Sequence, residues 1–174
     1  MKTYNLEDIK KLAKNNSNHI NDDIIDAENS YSIDDFDKAK TRVLKYIFYK
    51  KRSENEVRQK FSKQYDEELF EDVIENLKEN GYINDDNYID RTINEFIVLK
   101  HLSIREIKYK LMAKGVNSSK IENYLEKNEE QLLEYEIQSA KYYVDKKRTQ
   151  MEDFEIKRYL MKKGYKEESI KEAM

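Results

Sequence analysis

The chain has no cysteine, no proline and no tryptophan, and only three glycines in 174 residues. Each absence excludes a class of protein. Without proline and with so little glycine, the many tight turns of a β-sandwich or barrel cannot be built. Phosphate-cradling loops need clustered glycines, which are missing here. Without cysteine there is no disulfide frame, no thiolate metal site and no cysteine nucleophile. Two histidines, at positions 19 and 101, are too few for a histidine metal cluster. No apolar leader opens the chain and no run approaches the ~20 apolar residues of a membrane span. The reading is a cytoplasmic, all-α protein without a membrane partner, without cofactor or metal, and without a catalytic constellation.

What is present is charge. Lys and Arg number 33, Asp and Glu 36, and charged residues make up 40% of the chain. The signs alternate in blocks. Residues 1–35 carry four Lys against eight acids, 38–63 ten basic residues against two, and 66–95 two against eleven. Two further basic blocks, 100–120 and 141–166, alternate with acidic ones. The plain reading of such blocks is solvated helix faces.

A repeat of about fifty residues orders these blocks. Three segments align: Glu56-Val57-Arg58-Gln59-Lys60-Phe61, Glu106-Ile107-Lys108-Tyr109-Lys110-Leu111 and Glu155-Ile156-Lys157-Arg158-Tyr159-Leu160. In each, an aliphatic residue and a large apolar one lie four apart, on one helix face. A second stripe follows each segment, at Phe70 with Val73/Ile74, Ile121 with Tyr124/Leu125, and Ile170 with Ala173/Met174. A further helix precedes each pair, over about 36–50 (Phe36, Ala39, Val43, Ile47), 86–99 (Ile89, Ile93, Phe96, Ile97) and 129–147 (Leu133, Ile137, Ala140, Val144). Ser53 and Ser103 stand three residues before Glu56 and Glu106, the spacing of a capping box, and Asp153 is the corresponding candidate cap in the third segment. Gly115 and Gly164 follow helices that end in lysine, where a left-handed cap belongs, and Gly81 closes the last helix of the first unit.

The organisation read from this is three tandem three-helix repeats, 36–84, 85–127 and 128–174, after an acidic, flexible lead-in over 1–35 with a short helix at Leu6, Ile9 and Leu12. Stacking of neighbours is expected to complete cores that single units are too small to close. The middle helix of each unit is basic and the last one acidic. The candidate binding surface is therefore a basic stripe: Arg52, Arg58, Lys60, Lys63, Arg91, Arg105, Lys108, Lys110, Lys114, Lys157, Arg158, Lys162 and Lys163. A stripe of this kind fits a phosphate backbone or an acidic protein groove. The alternative is pairing between neighbouring helices. Tyr82, Tyr124, Tyr142 and Tyr165 read as core or half-buried positions, Tyr88 is left open, and His101 falls in a turn with no partner ligand. Asp85 and Asp86 read as helix-start acids.

These residues carry a resemblance. Arg52-Ser53-x-x-Glu56-Val57-x-x-Lys60-Phe61 and Leu77-Lys78-Glu79-Asn80-Gly81-Tyr82-Ile83-Asn84-Asp85-Asp86-Asn87-Tyr88 resemble motifs of the RecX family of bacterial recombination regulators. Ile104-Arg105-Glu106-Ile107-x-x-x-Leu111-x-x-Lys114-Gly115-Val116 and Lys157-Arg158-Tyr159-Leu160-x-x-Lys163-Gly164-Tyr165 are similar to its later units. The likeness spans about 36–174. Gln64, where the later units have glycine, and Asp90 and Thr92 depart from the pattern. The resemblance implies three tandem three-helix units stacked into an elongated, curved helical body. It further implies a non-enzymatic, monomeric regulator that binds the RecA protein and its filament on single-stranded DNA and inhibits ATP hydrolysis and strand exchange, with weak direct DNA binding. A helix-turn-helix-like DNA-binding protein acting without RecA, and a purely scaffolding solenoid, stay open beside it.

Overall fold

The computed structural model describes residues 31–174. The short helix expected at Leu6, Ile9 and Leu12, His19, and most of the acidic lead-in lie outside the described residues. Among the described residues the secondary structure is helical throughout: α1 Ile33–Tyr49, α2 Glu54–Phe61, α3 Glu67–Glu79, α4 Asp85–Leu99, α5 Ile104–Ala113, α6 Ser118–Lys127, α7 Glu129–Lys147, α8 Asp153–Lys163 and α9 Glu167–Ala173. Grouped in threes, they are a long first helix, then two shorter ones, repeated.

Helix starts follow local chemistry. Ser53 Oγ accepts the Glu56 amide at 3.2 Å, while the Glu56 carboxylate accepts the Ser53 amide at 3.2 Å. Ser103 and Glu106 do the same at 3.1 and 3.3 Å. Both capping boxes satisfy amide groups that a helix start leaves without partners. Asn84 caps α4 by accepting the Asn87 amide at 3.0 Å. Two starts differ from the sequence reading. Helix α1 opens at Ile33, so Asp34 and Asp35, counted with the lead-in, form its acidic first turn. In the third repeat the cap is Glu152, whose amide donates to the Glu155 carboxylate at 3.2 Å; Asp153 is already helical and pairs with Arg148 at 3.7 Å.

The second and third repeats each close an apolar cluster. In the second, Ile89, Ile93, Ile107, Leu111, Val116 and Ile121 are joined by Leu132 from the next repeat. In the third, Ala140, Val144, Ile156, Leu160, Tyr165, Ile170 and Ala173 pack together. At the second junction the neighbouring repeat completes the second cluster's cover with Leu132 and Tyr135. The inward face of α7 also differs. Leu133 and Ile137 are half-buried, and the buried positions are Leu132, Glu136, Ser139, Ala140 and Val144. A buried carboxylate is invisible to a reading that follows apolar spacing. Tyr82 and Tyr142, read as core or half-buried, are 38% and 40% exposed, and Met174 is exposed.

The three glycines all have positive φ, which disfavours any side chain. Gly81 has open space around it. A Cβ on Gly115 would lie 2.5 Å from the Asn55 Cβ, and one on Gly164 would lie 3.1 Å from the Arg105 Cβ. Asn55 and Arg105 belong to the preceding repeat in each case. Gln64, at the corresponding turn of the first repeat, does not have a positive φ, so no glycine is required there. We expect Gly81→Ala to cost about 1 kcal/mol and Gly164→Ala about 3 kcal/mol, as read by urea denaturation.

Candidate functional site

The basic middle helices are laid out by the repeat. Arg58, Lys108 and Lys157 occupy equivalent positions, and each reaches an acid on the last helix of its own repeat. Arg58 pairs with Glu71 as well as with Glu54 (2.8 Å), Lys108 with Glu122, and Lys157 with Glu167 at 3.2 Å. Lys114 and Lys163 reach backward across a junction, to Glu56 at 3.1 Å and Glu106 at 3.6 Å. Arg52 lies 3.5 Å from Glu56 and stacks its guanidinium 4.4 Å from the Tyr46 ring centroid. Arg105 and Arg158 sit 5.6 Å over Tyr109 and Phe154. Lys60, Lys63, Arg91, Lys110 and Lys162 are exposed and make no salt bridge with any described residue. The thirteen positions thus divide into cations committed to the frame and cations open to a partner.

The junctions use one scheme twice. Ser53 Oγ donates to the Lys114 carbonyl and Ser103 Oγ to the Lys163 carbonyl, both at 2.7 Å. Both serines are fully buried. An acid on the following repeat's first helix then accepts the first amide of the capped helix. Asp85 accepts from Glu54 at 2.9 Å, and Glu136 from Ile104 at 2.8 Å. Glu136 also takes the Lys166 amide at 3.2 Å and the Ser169 hydroxyl at 2.7 Å, which lets it lie fully buried. Asp86, next to Asp85, instead pairs with Lys120 at 3.1 Å. Tyr88 donates to Glu56 at 3.3 Å, which places it in the first junction.

The junction acids differ in electrostatics. Burial opposes ionisation of Glu56, but Lys114, the Ser53 amide and Arg52 outweigh it and hold its carboxyl below the ordinary value. Burial dominates at Asp85 and pushes its carboxyl up, despite the Glu54 amide. Among the described residues no group of acids, histidines or cysteines is disposed to hold a metal ion. No described helix is long and apolar enough to cross a membrane.

Sequence reasoning missed two features. Glu136 sits in an apolar stripe and had no periodic signal. The exposed ring pair His101–Tyr142, with centroids 3.7 Å apart and planes at 13°, joins residues from two repeats. An aromatic residue beside lysines on α7 was its only sequence trace.

Fold and site together define an all-α repeat protein in which polar contacts join the units and part of the basic charge stays exposed. No family model matches the chain. It is 33% identical over 135 residues to the regulatory protein RecX of Staphylococcus carnosus, covering 75% of this chain and 51% of that one. It is 30% identical over 174 residues to the regulatory protein RecX of Finegoldia magna, covering 94% of this chain and 81% of that one. It is 33% identical over 153 residues to that of Clostridium acetobutylicum, covering 81% and 69%. The chain spans about half the length of the Staphylococcus carnosus relative. The crystal structure of RecX from Lactobacillus salivarius superposes with a TM-score of 0.68 at 23% identity, over 80% of this chain and 94% of that one, a likeness of fold. The chain belongs to the RecX family.

Two outcomes follow. Glu136→Gln turns an amide NH2 toward the Ile104 or the Lys166 and Ser169 donors, and should cost about 3 kcal/mol in chemical denaturation. Glu56 has a depressed folded pKa, so its contribution is present above the unfolded carboxylate value and is lost as pH falls through the folded one. Thermal melts across that acid range should show this loss, and Lys114→Met should reduce it.

Proposed function

We propose that this chain binds the RecA recombinase on single-stranded DNA and restrains its ATP hydrolysis and strand exchange. The observation that carries this reading is family membership: the likeness to a protein named regulatory protein RecX extends over 94% of the chain. The units 36–84, 85–127 and 128–174 act as modules of a monomer in the cytoplasm, and the repetition suits a partner that itself repeats along a filament. In this reading Lys60, Lys63, Lys110 and Lys162 meet the partner, because their charge is not committed to acids of the described frame. Catalysis is not part of the reading; regulation works by occupying a surface.

The test adds the purified chain to RecA of the same organism on single-stranded DNA and follows ATP hydrolysis. We expect the rate to fall. An unchanged rate at stoichiometric excess overturns the proposal. Joint charge reversal of Lys60, Lys63, Lys110 and Lys162 to Glu should weaken the effect and leave the melting temperature close to that of the parent, since exposed unpaired cations contribute little stability.

A further inference from the structure

A second surface lies at the ends of the first helices. Helix α4 ends in exposed Val98 and Leu99, followed by exposed Lys100 and His101. The His101 ring stacks on Tyr142 of α7, which is itself 40% exposed. Lys146, one turn along α7, places its ammonium 5.6 Å from the Tyr142 centroid. Lys141, also exposed, immediately precedes Tyr142. Lys100, Lys141 and Lys146 form no salt bridge with any described residue, and Asp145 is the one acid among residues 141–148.

The segment carrying His101 is held by its backbone. The Tyr135 hydroxyl donates to the Lys100 carbonyl at 2.9 Å and accepts the Leu102 amide at 3.0 Å. The buried Tyr165 donates to the His101 carbonyl at 3.0 Å. The imidazole therefore projects from a fixed turn, and no bond to a described side chain uses its ring nitrogens. The equivalent place at the first junction has exposed Phe48 and Tyr49, then Lys50 and Lys51, with Arg91 in the position of Tyr142. Burial, and then the Arg91 charge, push the Lys51 ammonium pKa down. An anion bound beside Lys51 and Arg91 would relieve that repulsion.

From these observations we infer that the His101–Tyr142 stack is a base-stacking platform for single-stranded nucleic acid, with Lys100, Lys141 and Lys146 on the backbone phosphates and Lys51 and Arg91 continuing the phosphate track. Aromatic faces flanked by cations are the chemistry that holds unpaired bases without reading their sequence. An acidic protein surface would use the lysines and leave the rings idle. The inference concerns this chain alone and does not rest on RecA.

The test is an anisotropy titration of the full chain, without RecA, against a labelled oligothymidylate about twenty nucleotides long. His101→Ala and Tyr142→Ala should each weaken binding about tenfold. Tyr142→Phe keeps the ring and should bind as the parent does, which separates stacking from loss of fold. An abasic strand of equal length should bind the parent as weakly as the thymidylate binds the alanine variants. Equal binding of abasic and base-bearing strands, unchanged affinity in both alanine variants, or a preference for polyglutamate over the strand would overturn the inference. The absence of RecA keeps this failure separate from failure of the filament reading.

Discussion

The joining of the repeats depends on a buried serine hydroxyl used in both directions. At Ser53 and again at Ser103 the oxygen accepts an amide of its own helix and its proton goes to a carbonyl of the next repeat. An unpartnered hydroxyl at full burial would cost a few kcal/mol. The hydroxyl is satisfied only with the neighbour in register, so the bond that starts a helix also fixes how the next unit docks. The acids Asp85 and Glu136, the lysines Lys114 and Lys163, and the glycines Gly115 and Gly164 are all arranged around this contact.

This polar junction explains why so charged a chain folds as it does. The second and third repeats each close a small apolar cluster, and oriented hydrogen bonds join the units. Directional bonds set register where apolar contact alone tolerates slippage. Part of the basic stripe is used here, in pairs that link middle helices to acids of the same or the preceding repeat. The cations left outward pair with no acid of the described frame, and the ring pair lies over the second junction.

Much of the fold was legible because it is local. Helix positions followed from i, i+4 apolar pairs, and two capping boxes from Ser-x-x-Glu spacing. Val57 with Phe61, Ile107 with Leu111 and Ile156 with Leu160 are all buried as that spacing requires. The α7 face was misread because Glu136 stands where an apolar residue would, and its partners lie about thirty residues away in either direction. Asp153 was misread as a cap because glutamate can fill that role one residue earlier. Tyr142 looked interior on its helix, yet its ring faces outward to meet His101.

By itself the sequence determined the class, the period and the alternation of charge by helix, because these depend on neighbours within a few turns. It also carried the resemblance that the comparisons bear out at the level of family. Only the tertiary structure decided which lysines are committed and which are open, what crowds Gly115 and Gly164, and how His101 finds Tyr142. Those outcomes depend on groups from different repeats meeting across a junction, and the distance between them in space is not encoded in their separation along the chain.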